Sequence, residues 1–265
     1  MTSQAFNMDC VAGMKQIEAE SIDLTVTSPP YDNLRDYCGF SFDWKETIKE
    51  LYRVTKKGGV VVWIVSDQTI NGSETGTSFK QALYAMECGF NLQDTMIWDK
   101  HNLTFPHESR YHDCFEYMFI FSKEAPKTHN LIEDRPNIQA GTKIHGTDRQ
   151  RDGTTTRQSG YGKRAVKEIG KRFNIWRIDP VQSNIERTGH PAQFPLRLAS
   201  DHIRSWSNEG DTILDPFLGS GTTRIAAYDL NRNFIGYEIS KEYFDLQEER
   251  FERHTAQQNL FLLED

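Results

Sequence analysis

Two segments of this 265-residue sequence have residue types and spacing that could do chemistry: Thr27-Ser28-Pro29-Pro30-Tyr31, and Asp215-Pro216-Phe217-Leu218-Gly219-Ser220-Gly221-Thr222-Thr223. The first follows an apolar run at 22–26. Consecutive prolines cannot extend a central β-ladder or enter a helix interior, so they set a rigid rim at a strand end, where ligands of parallel sheets bind. A hydroxyl or carbonyl on that rim accepts hydrogen bonds, and Tyr31 offers an aromatic face to a planar partner.

The second segment passes from a strand at 212–214 through a glycine turn into a helix expected at 224–230. Small residues let a ligand approach the backbone closely, and a helix start offers unpaired N–H donors. Glu238 follows seventeen residues after Gly221, at the end of the next apolar run. An acid there commonly accepts from a ribose diol, so the pattern suits a nucleoside cofactor. A tight structural turn would use the same glycines. Arg224 stands where the dinucleotide fingerprint needs a third Gly or Ala, which counts against NAD, and no G-x-x-x-x-G-K-[ST] loop occurs.

The elements that must position these turns are strand-like runs at 21–27, 60–65, 94–98, 117–121, 212–214 and 234–237. Helix-period stretches lie between them at 46–55, before a Gly58-Gly59 stop, and at 79–86 before Gly89. The alternation predicts an α/β protein with a largely parallel sheet. From about 123 to 189 the rhythm fails, with 161–173 the single stretch of helical period. Residues 141–190 hold eleven Lys and Arg against five acids, a net +6, whereas the whole chain carries −7. Such segregation fits either a solvated loop or an insertion that touches phosphates.

The length and composition, 37% hydrophobic and 26% charged, allow a continuous core and exclude a disordered or collagen-like chain. A net charge of −7 excludes a uniformly basic coat but not a local basic face. The longest apolar run is far shorter than the roughly 20 residues a membrane helix needs, and no leader is visible, so a cytoplasmic protein without a membrane partner is expected. Cys10, Cys38, Cys88 and Cys114 form no C-x-x-C pair, so reduced thiols are expected and neither metal nor disulfides.

TSPPY followed downstream by DPFLGSGTT resembles the amino-group DNA methyltransferases, which modify the exocyclic nitrogen of adenine or cytosine with S-adenosyl-L-methionine. With the catalytic motif before the cofactor motif and a basic variable segment between them, the order is similar to that of the β-type members. The resemblance implies a Rossmann-like, three-layer α/β fold with a mostly parallel seven-stranded sheet and a circularly permuted motif order. It divides the chain into a catalytic half at 1–122, an inserted target-recognition region at 123–189 and a cofactor half at 190–265. The N-terminal strand ending at Asp9 would lie beside the strand at 234–237, bringing Asp9 near the cofactor adenine; otherwise Asp9 is a surface acid at a strand end.

Asp215, Phe217, Gly219, Ser220, Gly221 and Thr222 match the family's cofactor loop, and Glu238 its ribose acceptor. Gly189-His190-Pro191-Ala192-Gln193-Phe194-Pro195 matches the segment leading into a helix beside the methionine moiety, although His190 could be a loop histidine without a ligand. Trp98-Asp99-Lys100 and Phe115-Glu116-Tyr117 resemble motifs that support the pocket.

By the same resemblance Ser28, Pro29, Pro30 and Tyr31 are catalytic. Ser28 and the Pro29 carbonyl would accept the amine N–H groups, aim the nitrogen at the sulfonium methyl and act mainly by positioning. Tyr31 would stack on a target base flipped out of double-stranded DNA. No cysteine nucleophile is required. Ser at position 28 favours cytosine N4, with adenine N6 as the alternative. Arg149, Arg151, Arg157, Lys163, Arg164, Lys167, Lys171 and Arg172 of the insertion could meet phosphate or guanine edges. A homodimer and a cognate restriction endonuclease are further partners the family suggests. The competing readings are an inactive nucleic-acid-binding module and an RNA or protein-amide methyltransferase, whose turn usually begins Asn-Pro-Pro-Tyr.

Overall fold

The structure is a computed structural model that describes residues 2–30, 42–101, 108–181 and 193–261, with side chains to 258. The chain opens with β1 (Ser3–Asn7), α1 (Cys10–Met14), β2 (Ile22–Thr27), α2 (Trp44–Val54) and β3 (Thr55–Val65). It continues through β4 (Thr69–Ile70), β5 (Ser73–Glu74), α3 (Thr77–Glu87), β6 (Asn91–Asp99) and β7 (Phe115–Ser122). Four short strands follow, β8 (Glu133–Pro136), β9 (Thr147–Arg149), β10 (Thr155–Arg157) and β11 (Ile169–Lys171). The last elements are β12 (Ile175–Arg177), α4 (Leu196–Trp206), β13 (Thr212–Asp215), α5 (Thr222–Asp229), β14 (Asn233–Glu238) and α6 (Lys241–Phe261).

Residues 1–130 and 174–265 form one compact unit, and Leu131–Phe173 a second. In the first, the described strands make one sheet in the order β1-β14-β13-β2-β3-β7-β6-β12. All neighbours are parallel except β7, which runs antiparallel to both β3 and β6. The expected count of seven strands is therefore corrected to eight among the described residues. The extra strand is β12, whose three residues pair with Ile97, Trp98 and Asp99 and carry the buried Trp176 into the core.

Val60 to Val65 are all buried, so both faces of β3 are covered, the condition that makes central parallel strands near-continuous apolar runs. The helices fall into two packed sets, α1 with α2 and α3, and α4 with α5 and α6. Asp43 caps α2 by accepting from the amides of Lys45 and Glu46, both at 3.1 Å. The helix ends at Val54 and Thr55 starts β3 directly, so the Gly58-Gly59 pair stops no helix. The two glycines sit where the β2–β3 register jumps from Ile22↔Thr55 to Leu24↔Val60; Gly58, at φ +80°, supplies the left-handed residue.

The second unit consists of the antiparallel pairs β8–β11 and β9–β10. Residues 161–173 form turns and β11 rather than a helix. Their apolar spacing imitates a helical stripe, but Gly160 and Gly162 take positive φ and end any regular element there. Among the described residues no helix is long and apolar enough to cross a membrane, and no acid, histidine and cysteine cluster could hold a metal ion.

Candidate functional site

At the β13/β2 boundary the strand order changes direction. β13, β14 and β1 lead one way, and β2, β3 and β7 the other. The carboxyl ends of strands at such a switch point border a crevice. Thr27 ends β2 and Asp215 ends β13, so the sheet itself brings the two turns together.

Their junction is a hydrogen bond. The Thr27 hydroxyl donates to Asp215 Oδ1 at 2.7 Å, and the Phe217 amide donates to the same oxygen at 3.1 Å. Asp215 is 1% exposed, and burial pushes its carboxyl up to about 6 despite these donors and the Thr223 hydroxyl. The side chain fixes the mouth of the glycine turn from behind.

In front of it lies a cavity of about 310 Å³, lined by residues of both turns: Ser28 and Pro30 from one, Phe217, Gly219, Ser220 and Thr222 from the other. Asp9 and Glu238 also line it. Asp215, Pro29 and Gly221 are adjacent in sequence to lining residues but are not among them. Tyr31 and His190 lie outside the described residues, as do residues 182–192 generally.

The glycine turn is shaped by positive φ at Gly219 (+49°) and Gly221 (+77°), the latter serving as N-cap of α5. A Cβ on Gly221 would come within 3.1 Å of Gln247 Cβ. Glu238 holds the turn from the adjacent strand: its two carboxylate oxygens accept the Gly219 amide at 2.9 Å and the Ser240 amide at 2.8 Å. Burial raises its pKa, opposed by those amides. Asn7 pairs with Glu238 across the β1–β14 ladder, and Asp9 caps α1 by accepting from the Ala12 amide at 2.8 Å. Two carboxylates thus border one cavity from neighbouring strand ends.

Several lining residues have no counterpart among the sequence candidates, including Phe42, Thr47 and Tyr237. Phe42 meets Phe217 edge-on at 5.0 Å between ring centroids, and its position just before the Asp43-x-x-Glu46 cap was a readable signal. Phe194 is the part of the 189–195 segment that reaches the cavity. Cys10 also borders it, but burial pushes the thiol up to about 12, so it stays protonated and unreactive.

Two further features lie away from the cavity. Lys100 pairs with Glu116 at 3.0 Å, joining the Trp98-Asp99-Lys100 and Phe115-Glu116-Tyr117 segments. Arg224 is buried between Glu248 at 2.7 Å and Gln247 at 2.9 Å, with its guanidinium 3.9 Å from the Phe251 ring centroid. This explains why the fingerprint's small third residue is replaced: α6 packs on α5 through that arginine. From the next turn of α6, Arg250 donates to the Ser220 carbonyl at 2.8 Å and the Thr222 hydroxyl at 3.0 Å.

The lining suits S-adenosylmethionine. Glu238 offers pinned acceptor oxygens to a diol, and Asp9 a carboxylate to an exocyclic amine. Met8, Ile239 and Tyr243 supply apolar surface for a purine, and the backbone at Gly219 is open to close approach.

A family model described as DNA methylase, N6_N4_Mtase, matches residues 22–249. The orphan methyltransferase M.BamHII of Bacillus amyloliquefaciens is 56% identical over 240 residues, covering 88% of this chain and 90% of its own. Among solved structures, the cytosine-N4-specific PvuII DNA methyltransferase superimposes with a TM-score of 0.69 at 20% identity, covering 97% of this chain and 91% of its own. M1.HpyAVI, solved as a complex with SAM, gives 0.60 at 23% identity, covering 94% and 100%. At these identities the two structures show likeness of fold.

Proposed function

The chain belongs to the N6_N4 family of DNA methylases, and on that premise we propose that it transfers a methyl group from S-adenosylmethionine to an exocyclic amino group of a DNA base, cytosine N4. The observation that carries this reading is the single cavity onto which Ser28, Pro30, the glycine turn and Glu238 all open.

An amine conjugated to its ring is a poor nucleophile. The Ser28 hydroxyl and the Pro29 carbonyl accept its N–H groups, which localises the nitrogen lone pair and aims it into the cavity. S-adenosylmethionine, when bound, would supply an electrophilic sulfonium methyl to that nitrogen; the S–CH3 bond would break as N–CH3 forms, leaving S-adenosylhomocysteine, and one amine proton would pass to solvent. Asp9 and Glu238 hold the adenosine end, the Gly219 to Thr222 turn lets it approach the backbone, and Phe217 and Phe194 help exclude water. The base reaches the cavity by leaving the duplex, at roughly a few kcal/mol, which stacking on Tyr31 offsets. No covalent enzyme intermediate is needed, in accord with the inert Cys10.

Ser28 supports cytosine. Adenine N6 is the second reading, since the matched family model spans both amino groups. The test is incubation of the purified protein with isotopically labelled S-adenosylmethionine and unmethylated genomic DNA, followed by digestion to nucleosides and mass analysis. Labelled N4-methylcytosine is expected. Labelled N6-methyladenine would replace the first reading with the second, and absence of label with donor binding intact would leave a binding module.

A further inference from the structure

The unit Leu131–Phe173 contains no buried residue. Its apolar side chains, Ile132, Ile144, Tyr161 and Val166 among them, are at most half-buried, so its architecture draws less on the hydrophobic effect and more on hydrogen bonds between polar groups. A chain segment folded without a core is folded for what it displays.

The β9–β10 hairpin is the clearest case. Every residue from Thr147 to Arg157 is exposed. The register pairs Thr147 with Arg157, Asp148 with Thr156 and Arg149 with Thr155. The connecting turn closes by the Gln150 amide donating to the Thr154 carbonyl at 2.7 Å, with Gly153 at φ +87° and Asp152 accepting from the Thr154 amide at 3.0 Å and hydroxyl at 2.7 Å.

Side chains alternate between the two faces of such a ribbon. On the even-numbered face they are tied to each other: Gln150 donates to the Thr156 hydroxyl at 2.8 Å, and Gln158 donates to Asp148 at 3.0 Å. The odd-numbered face carries Thr147, Arg149, Thr155 and Arg157. Arg157 is braced over the Tyr161 ring at 4.7 Å, whereas the Arg149 side chain has no hydrogen bond or ion pair among the described residues. Two other cations of the unit are paired, Arg172 with Asp134 and Lys167 with Glu133 at 3.9 Å, and Arg151 lies in the hairpin's turn rather than on a strand face.

A two-stranded ribbon fits the major groove of B-DNA, where a guanidinium fork matches guanine O6 and N7. We propose that the odd-numbered face of the β9–β10 hairpin is a base-reading surface that enters the major groove of the substrate DNA, and that Arg149 reads a guanine there. The inference rests on the DNA methyltransferase function above and adds the element that selects the site.

The test is to map methylated positions on unmethylated genomic DNA for the unaltered protein, Arg149→Ala and Arg149→Lys. The unaltered protein is expected to show a defined motif. Both variants, altered at an exposed side chain, should relax one G·C position of it, with discrimination there falling about 10- to 100-fold, because lysine keeps the charge but not the fork. An unchanged motif in both variants, or a uniform loss rescued by lysine, would overturn the inference and assign Arg149 to surface or phosphate contact. Absence of methylation by the unaltered protein would overturn it together with the function on which it rests.

Discussion

The hydroxyl of Thr27 donates to the carboxylate of Asp215 at 2.7 Å inside the protein, joining residues 188 positions apart in the chain. Each residue closes its strand and opens one of the two turns, so this bond ties the turn proposed to hold the amine to the turn proposed to hold the donor. Because Asp215 is buried, the bond also answers part of the desolvation of its carboxyl.

Thr27→Val keeps the shape and removes the donor. It should lower stability by about 1–3 kcal/mol, as expected when a buried acceptor loses a partner, and raise the Asp215 pKa further. Urea unfolding at neutral pH measures the first. An unchanged midpoint would show that the bond contributes nothing.

The titration of Asp215 has a definite sign. Its folded pKa, about 6, lies above the ordinary 3.8, so the folded protein binds the proton more tightly than the unfolded chain. The contribution is full below about pH 4 and is lost as the pH rises through 6. Asp215→Asn, which cannot ionise, should therefore gain about 2 kcal/mol relative to the unaltered protein between pH 4 and pH 7. Paired unfolding curves at those two pH values check it, and a constant difference would place the Asp215 pKa near its unfolded value.

The sheet and the two turns were legible because their signals are local and strong. Val60 to Val65 is an apolar run buried on both faces, Gly219 and Gly221 take positive φ, and the prolines at 29 and 30 follow the end of β2. The permuted order follows from the two motifs, and the β1–β14 pairing realises the expected neighbour of the strand at 234–237. What sequence could not give was contact between distant elements. β12 is three residues long, too short for a pattern, and joins the sheet through Trp176. Residues 242–252 are rich in Glu and carry no strong apolar stripe, yet Gln247, Glu248 and Arg250 on one side of α6 grip Arg224 and the glycine turn. The hairpins of the insertion have no apolar face, so no periodicity announces them.

Arg250 is a positioning residue. Arg250 does not itself line the cavity, but Arg250→Ala removes its hydrogen bonds to Ser220 and Thr222, which do, so donor affinity should fall about ten-fold while turnover at saturating donor changes little. Calorimetric titration with S-adenosylmethionine beside steady-state kinetics separates the two. Affinity equal to that of the unaltered protein would show that the turn holds its shape unaided.

The division of labour across one cavity is tested most directly by measuring donor dissociation constant and turnover number together for Ser28→Ala and Glu238→Gln. Ser28→Ala should cut turnover by roughly a hundred-fold or more, the scale of lost positioning, with donor affinity within about two-fold, whereas Glu238→Gln should weaken the donor about ten-fold and spare turnover at saturation. Equal losses of affinity and turnover in Ser28→Ala would contradict the account and assign the Thr27 to Pro30 turn to the donor or to the fold.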